Sequence, residues 1–362
     1  MTHKRAVLFL SFCMAIILFA THCTDDNNNK GDTTDDQGSI TPVVLPVVVP
    51  GFHFPEDSNT IYGWLKPYDS VKVYQHAWGV WAGLTAHTNQ VYQGDSLLVY
   101  ETWLGIGDIQ TIIGHEPMEG QAKPGLVKHG RTMLSVPNQH LDARKIRSQS
   151  LPGNGVDTNA GNNRLFWVAV SYDPASANYA ISNSIFTDSA LNKYKNPGGI
   201  GNIPNFPQEA INIKPTYFVG HVTDSLIRVN AWPGPPSTPQ TWAPSSWNSY
   251  VYVDVHNGQP AGKQLVPVTS SNPTPAQIAA ATCNLNEFIH FRVDAAMARY
   301  LNEQQKPVQG DTARAGDLAL LVAMHVNTKE INNWTWQTYY WDPNPSHPLS
   351  PSSELAAKLR PT

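Results

Sequence analysis

The sequence predicts an α+β, β-rich fold of packed antiparallel sheets, sandwich-like, with long loops and few helices. Three observations lead there. Charged residues are only 14% of the chain, too few for the charged helix formers of a helical bundle. Proline (29) and glycine (25) are frequent and break the chain with turns. Between the turns lie short runs rich in Val, Ile, Tyr, Phe and Trp, residues that suit a pleated, half-buried surface.

The N-terminus reads as an address. Lys4 and Arg5 precede an apolar run from Ala6 to Ala20. The run is shorter than the ~20 residues a bilayer span needs and fits the h-region of a secretory signal. Leu18 to Cys23 resembles a bacterial lipobox, although His22 stands where a small residue is usual. The expectation is a signal peptide over 1–22, lipidation at Cys23 and a membrane contact through that lipid; an uncleaved signal anchor is the alternative. Residues 23–50 read as a tether. Thr24 to Ile40 is polar and of low complexity, and cannot bury enough apolar surface to fold; Pro42 to Pro50 is stiff and extended, or an edge strand. Asp25 and Asp26 after Cys23 resemble the export signal of surface lipoproteins in Bacteroidetes-type bacteria. That implies an outer-membrane or cell-surface location, with the periplasmic face as the alternative.

The globular body is expected over 51–362, as one unit or as two packed halves near 51–200 and 201–362. Val73, Ala77, Val80, Trp81 and Leu84 recur every three or four residues and predict a helix over 68–85. Leu97–Leu104 reads as a strand, and 105–161 as long loops dense in Gly, Pro, Asn and His. Strands are predicted at Arg164–Tyr172, with a turn at Asp173-Pro174, then at Ala210–Phe218, Leu226–Ala231, Tyr250–His256 and Phe288–Ala296. Leu318–Val326 is a long apolar run typical of a central strand, and Trp334–Trp341 closes the series. Glu209–Lys214 and Glu287–Arg292 share the form Glu-x-Ile-x-apolar-basic, which an ancient duplication or coincidence would equally explain.

Composition narrows function. The net charge is −4 with scattered basic residues, without the Lys/Arg stripe a nucleic-acid partner demands. Three cysteines support neither a disulfide framework nor a four-cysteine zinc site. No Cys-x-x-Cys-His occurs, so covalent c-type haem is not expected and no cofactor is predicted. Gly-x-Ser-x-Gly and Gly-x-x-x-x-Gly-Lys motifs are also missing from the sequence.

The candidate site residues lie late in the chain. As a strand, 334–341 places Trp334, Trp336, Thr338 and Tyr340 on one face. Trp334 and Trp336 would form a stacking platform for a sugar ring or a planar ligand; a double-sided aromatic core strand is the competing interpretation. His325 and His290 fall on predicted strands, where a polar ring needs a partner and could bind ligand; whether metal binds there is left open. Glu101 and Glu330 are the acid or base candidates. A glycoside hydrolase would need two such carboxylates across a cleft.

Phe206–Pro215, Ala323–Glu330 and Trp334–Thr338 follow one another as a strand with a basic residue, an apolar strand ending in His, and a Trp-x-Trp-x-Thr strand. This order resembles a family of uncharacterised exported bacterial proteins. Some members carry a cytochrome-c label because they occur with, or fused to, haem modules. The resemblance implies export and a redox partner protein, without an established activity. Three functions remain: a binding module for a carbohydrate or small planar ligand, an exported hydrolase using strand-borne carboxylates or a His-bound metal, and an accessory protein to a redox partner.

Overall fold

The computed structural model describes residues 39–114, 129–135, 166–196, 198, 201–222, 225–235, 247–305 and 313–361. The expectations for the signal peptide, Cys23 and the tether to residue 38, and for the loops over 115–128 and 136–161, lie outside these residues. In chain order, helices α1 (Ser58–Leu65) and α2 (Ser70–Leu84) precede a hairpin of β1 (His87–Tyr92) and β2 (Asp95–Leu98). A 3-10 turn (Val99–Thr102), β3 (Leu104–Gly105) and α3 (Ile106–Gly114) follow. Then come β4 (Phe166–Val168), β5 (Ser171–Tyr172), α4 (Pro174–Ser182), α5 (Asp188–Lys193), β6 (Ile211–Gly220), β7 (Leu226–Asn230) and β8 (Tyr250–Asp254). The chain continues with α6 (Pro275–Ala280), β9 (Thr282–Asn284), a second 3-10 turn (Leu285–Glu287), β10 (His290–Arg292) and α7 (Ala295–Gln305). It closes with β11 (Leu318–Thr328), β12 (Thr335–Tyr340) and α8 (Glu354–Lys358).

Two long strands carry the fold. β6 and β11 pair antiparallel from Ile211↔Thr328 to Gly220↔Leu318. Their outer edges take short partners in halves: β10 and β12 on β11, β4 and β5 on β6, with β3 beyond β5. The result is a seven-stranded sheet drawing on both the early and the late chain, so the body is not divided near residue 200. A separate three-stranded sheet of β7, β8 and β9 packs against part of one face. The α+β, β-rich class with packed sheets is therefore what the chain adopts.

β11 contains one irregularity. Leu321 pairs with Tyr217 but Ala323 with Thr216, leaving Val322 as an extra residue, a β-bulge that reverses the alternation of the strand. Ala319 and Leu321 before it, and Met324 and Val326 after it, all join the main core. Leu318 and Leu320 face the other way and bury against the three-stranded sheet. Beyond Val322 that second face carries His325 and Asn327, and there it is not capped by the small sheet.

The inner face is covered by α2, α7 and the segment 42–54. The body therefore begins well before residue 51. Ile40 is fully buried and bridges to His129, and the Trp103 indole donates to the Val43 carbonyl at 2.7 Å. The Pro42–Pro50 run is part of the fold because Val43, Leu45 and Val49 alternate into the core. Helix α2 explains how that segment fits. A Cβ on Gly79 would lie 2.2 Å from the Phe52 ring, and one on Gly83 2.8 Å from Leu45. The two glycines, one turn apart, leave a groove for the extended chain, which offsets the ~1 kcal/mol each costs in a helix. The buried face of α2 is accordingly His76, Gly79, Val80, Gly83 and Leu84, with Trp81 at its margin.

Three predicted strands are shorter than expected. Leu97–Leu104 breaks into β2, the 3-10 turn and β3 because the Glu101 carboxylate turns back onto the Leu98 N–H at 2.9 Å. Phe288–Ala296 yields only β10 before Asp294 caps α7 through the Met297 N–H. Arg164–Tyr172 splits into β4 and β5, and the Asp173-Pro174 turn is the N-cap and first residue of α4. The Glu209 and Glu287 echo does not map onto equivalent elements: one leads into a central strand, the other into a three-residue edge strand.

Candidate functional site

The open part of the outer sheet face is built from three strands in register. β12, β11 and β6 place Tyr340, Ala323 and Thr216 in one row, Thr338, His325 and Lys214 in the next, and Trp336, Asn327 and Asn212 in the third. Side chains opposite one another in an antiparallel ladder share a face, so these nine residues form one patch. It combines aromatic rings, two amides, three hydroxyls, an imidazole and an amine, and it holds no carboxylate.

Trp336 is the outstanding member. Its side chain belongs to an internal position of β12, yet the residue is 64% exposed. A strand side chain of that size normally contributes its area to a core. His325 accepts or donates at Nδ1 with the Thr338 hydroxyl, 2.8 Å away, and that bond orients the ring. Burial against the sheet, then the neighbouring Lys214, hold the His325 pKa below its ordinary value, so the ring is neutral at neutral pH. Burial also lowers the Lys214 pKa. Asn327 donates from Nδ2 to the Thr335 carbonyl at 3.3 Å. The Asn212 side-chain oxygen is buried and meets no donor among the described residues.

The other predicted residues go elsewhere. Trp334 is not a strand residue: it has φ +60° and ends the turn that joins β11 to β12. Its ring meets Phe206 edge-on at 5.4 Å and lies 5.7 Å from the Lys329 amine. Lys329 is itself buried and binds the turn carbonyls of Ile331 and Asn332. Trp334 and Trp336 therefore do not share a strand face, and the expected two-ring platform reduces to Trp336. His290 pairs with Leu320 on β11, five positions from His325, or roughly 15 Å along a strand. Its Nδ1 is 2.9 Å from the Phe288 carbonyl. The two histidines do not converge, and among the described residues no three His, Cys, Asp or Glu side chains form a metal-binding group.

The two carboxylates occupy separate buried networks. Glu330 accepts the Glu56 N–H at 2.7 Å and the Thr328 hydroxyl at 2.6 Å, and pairs with His76 Nε2 at 3.0 Å. Its side chain is wholly buried. Glu101 pairs with Arg131 at 2.5 Å, besides its bond to Leu98. Arg131 also lies over the Phe291 ring at 4.2 Å. Beside this pair is a cavity of about 20 Å³ lined by Tyr100, Tyr217 and Arg131 among others, no larger than one water. The Tyr100 and Tyr217 hydroxyls lie 3.0 Å apart, and burial pushes both pKa values above the ordinary tyrosine value. The two networks share no residue, so Glu101 and Glu330 do not flank a common cleft. Glu287 makes the same backward contact in the second 3-10 turn, at 3.4 Å, which marks the Glu101 arrangement as a recurrent cap.

Sequence reasoning did not single out Lys214, Asn212 or Asn327 as site residues. Their signal is the two-residue period of β6 and β11, but it becomes readable only with the register and the Val322 bulge. No protein-family profile, curated protein or solved structure matches the chain.

Proposed function

We propose that this protein is a binding module for a carbohydrate or another planar ligand, and that the outer face around Trp336 is its site. The observation that carries the reading is the 64% exposure of Trp336 within a strand paired along its whole length to β11. A ring held by a ladder loses little entropy on stacking, so its area is available for binding. His325, Asn327 and Asn212 supply donors and acceptors one or two strands away, the usual way a flat apolar contact gains orientation. The hydrolase reading is weaker, because both carboxylates are already engaged inside the fold. Export and lipid anchoring at Cys23 would present this face outside the cytoplasm.

The test is a glycan and small-ligand screen on the purified protein, followed by titration of Trp336→Ala. Indole fluorescence should report the ligand in the original protein, and affinity should fall about tenfold or more in the variant, with the near-ultraviolet circular dichroism of the core kept. Affinity within twofold of the original for every ligand found would overturn the reading.

A further inference from the structure

Among the described residues, the large sheet has one long edge that nothing covers. Of the strands that border it, β3, β4, β5 and β10 are two or three residues long. β12 has six residues and, among the described strands, pairs with β11 alone. The phase of that pairing is fixed by Trp341, whose N–H donates to the Val322 carbonyl at 2.9 Å. Alternation then makes Tyr339, Gln337 and Thr335 the hydrogen-bonded partners of Met324, Val326 and Thr328. The main-chain N–H and C=O of Trp336 and Thr338 point the other way, off the sheet. Among the described residues these groups have no partner, and both residues are exposed.

Sheet edges in native proteins are guarded by charge, proline, bulges or shortness. β10 follows the rule with Arg292 and three residues, and β7, in the smaller sheet, with Arg228. The Thr-Trp-Gln-Thr-Tyr-Tyr sequence of β12 has no charge and no proline, and its pairing with β11 runs without a bulge. Such a strand can oppose itself without like-charge repulsion.

We infer that β12 is the pairing edge of a symmetric dimer, in which β12 of a second copy of this chain lies antiparallel beside it. The two-fold axis passes at Gln337. Trp336 of each copy then stands opposite Thr338 of the other, and each such pair exchanges two N–H to C=O bonds. A register centred further along would use Tyr340. Its hydroxyl donates to the Leu349 carbonyl at 2.9 Å, which places the C-terminal segment beside that end of the strand. In the inferred register, opposite residues share a face, so the outer faces of the two copies merge into one surface. Both Trp336 rings and both His325 rings then lie on the same side.

The test is sedimentation equilibrium of the full chain in detergent, with amide exchange measured across the same concentrations. The expected result is a reversible dimer, with exchange at the Trp336 and Thr338 amides slowing as concentration rises. Thr338→Pro removes one outward N–H and leaves the bonds to β11 intact, since proline is tolerated where the N–H faces away from the sheet. It should raise the dissociation constant about tenfold or more. Trp336→Lys places a charge on the edge at an already exposed position and should do the same, which keeps the test valid if the proline variant misfolds. A chain that stays monomeric throughout, or a dimer that both substitutions leave unchanged, would overturn the inference.

Discussion

The two sides of β11 and β12 are made by alternate residues of the same strands, and they differ in almost every respect. On the inner side Met324, Val326, Thr328 and Tyr339 are buried, and each polar atom there is accounted for. The Tyr339 hydroxyl donates to the Ala77 carbonyl at 2.5 Å and lies 3.0 Å from Gln337 Oε1, and Thr328 feeds the Glu330 network. On the outer side His325, Trp336 and Thr338 are exposed, with one bond between them. The lesson is a division of labour across a single sheet: one face is committed to holding the strands straight, and the other is thereby free to present groups to a ligand.

Breaking the inner side should have the largest effect. Glu330→Ala strands His76, the Thr328 hydroxyl and the Glu56 N–H in a buried site, and should cost roughly 3–5 kcal/mol. Urea denaturation would show this as a lower midpoint at unchanged slope; a loss below about 1 kcal/mol would mean that the network is not the keystone of the inner face.

The next effect is a pH dependence within the supporting layer. Burial raises the Asp173 carboxyl from 3.8 to about 6, against the N–H bonds from Ile211, Ser176 and Ala175 that pull it down. The folded state then holds the Asp173 proton more tightly than the unfolded chain does. That stabilisation is fully present below about pH 4 and is lost as pH rises through about 6, a decline of roughly 3 kcal/mol. Asp173→Asn keeps a capping oxygen and cannot ionise, so stability measured from pH 4 to 7 should lose this decline. An unchanged slope would show that the main-chain donors outweigh the burial.

Smaller still is Tyr339→Phe, which removes a hydroxyl and leaves the ring against Trp81 at 4.6 Å. A loss of about 1 kcal/mol is expected in thermal or urea unfolding. At the bottom of the scale, Trp336→Ala should change stability by no more than about 0.5 kcal/mol, while the proposed ligand affinity falls about tenfold or more. A large destabilisation by that substitution would erase the distinction between the two faces.

Much of the scaffold is legible in the sequence for a simple reason. The apolar periods of 70–84, 211–220 and 318–328 are strong, and each is dictated by burial on one or both sides. What sequence reading misses depends on contacts that no period records. Leu97–Leu104 has strand-forming residues throughout, but the backward bond of Glu101 breaks it. Trp334 looks like the first residue of an alternating run, yet a left-handed backbone places it in a turn. His76 and Glu330 meet across 254 positions, and Arg131, which neutralises Glu101, lies in a segment that reads as loop. Of the candidate site, Trp336 and His325 are visible as an aromatic and a polar residue on strands. Their neighbours Asn212 and Lys214 come from a different strand and need the register.

The extra residue at Val322 acts as a parity switch for everything that follows it in β11. An even pattern continued from Ala319 and Leu321 would send Ala323, His325 and Asn327 into the core and turn Met324 and Val326 out to water. One additional residue reverses that assignment for the rest of the strand, and through the register it decides which alternate residues of β12 see solvent. Straightening the strand with Val322 kept in the ladder would therefore turn the candidate site inside out, whereas deleting Val322 would restore a regular alternation with His325 and Asn327 still facing outward.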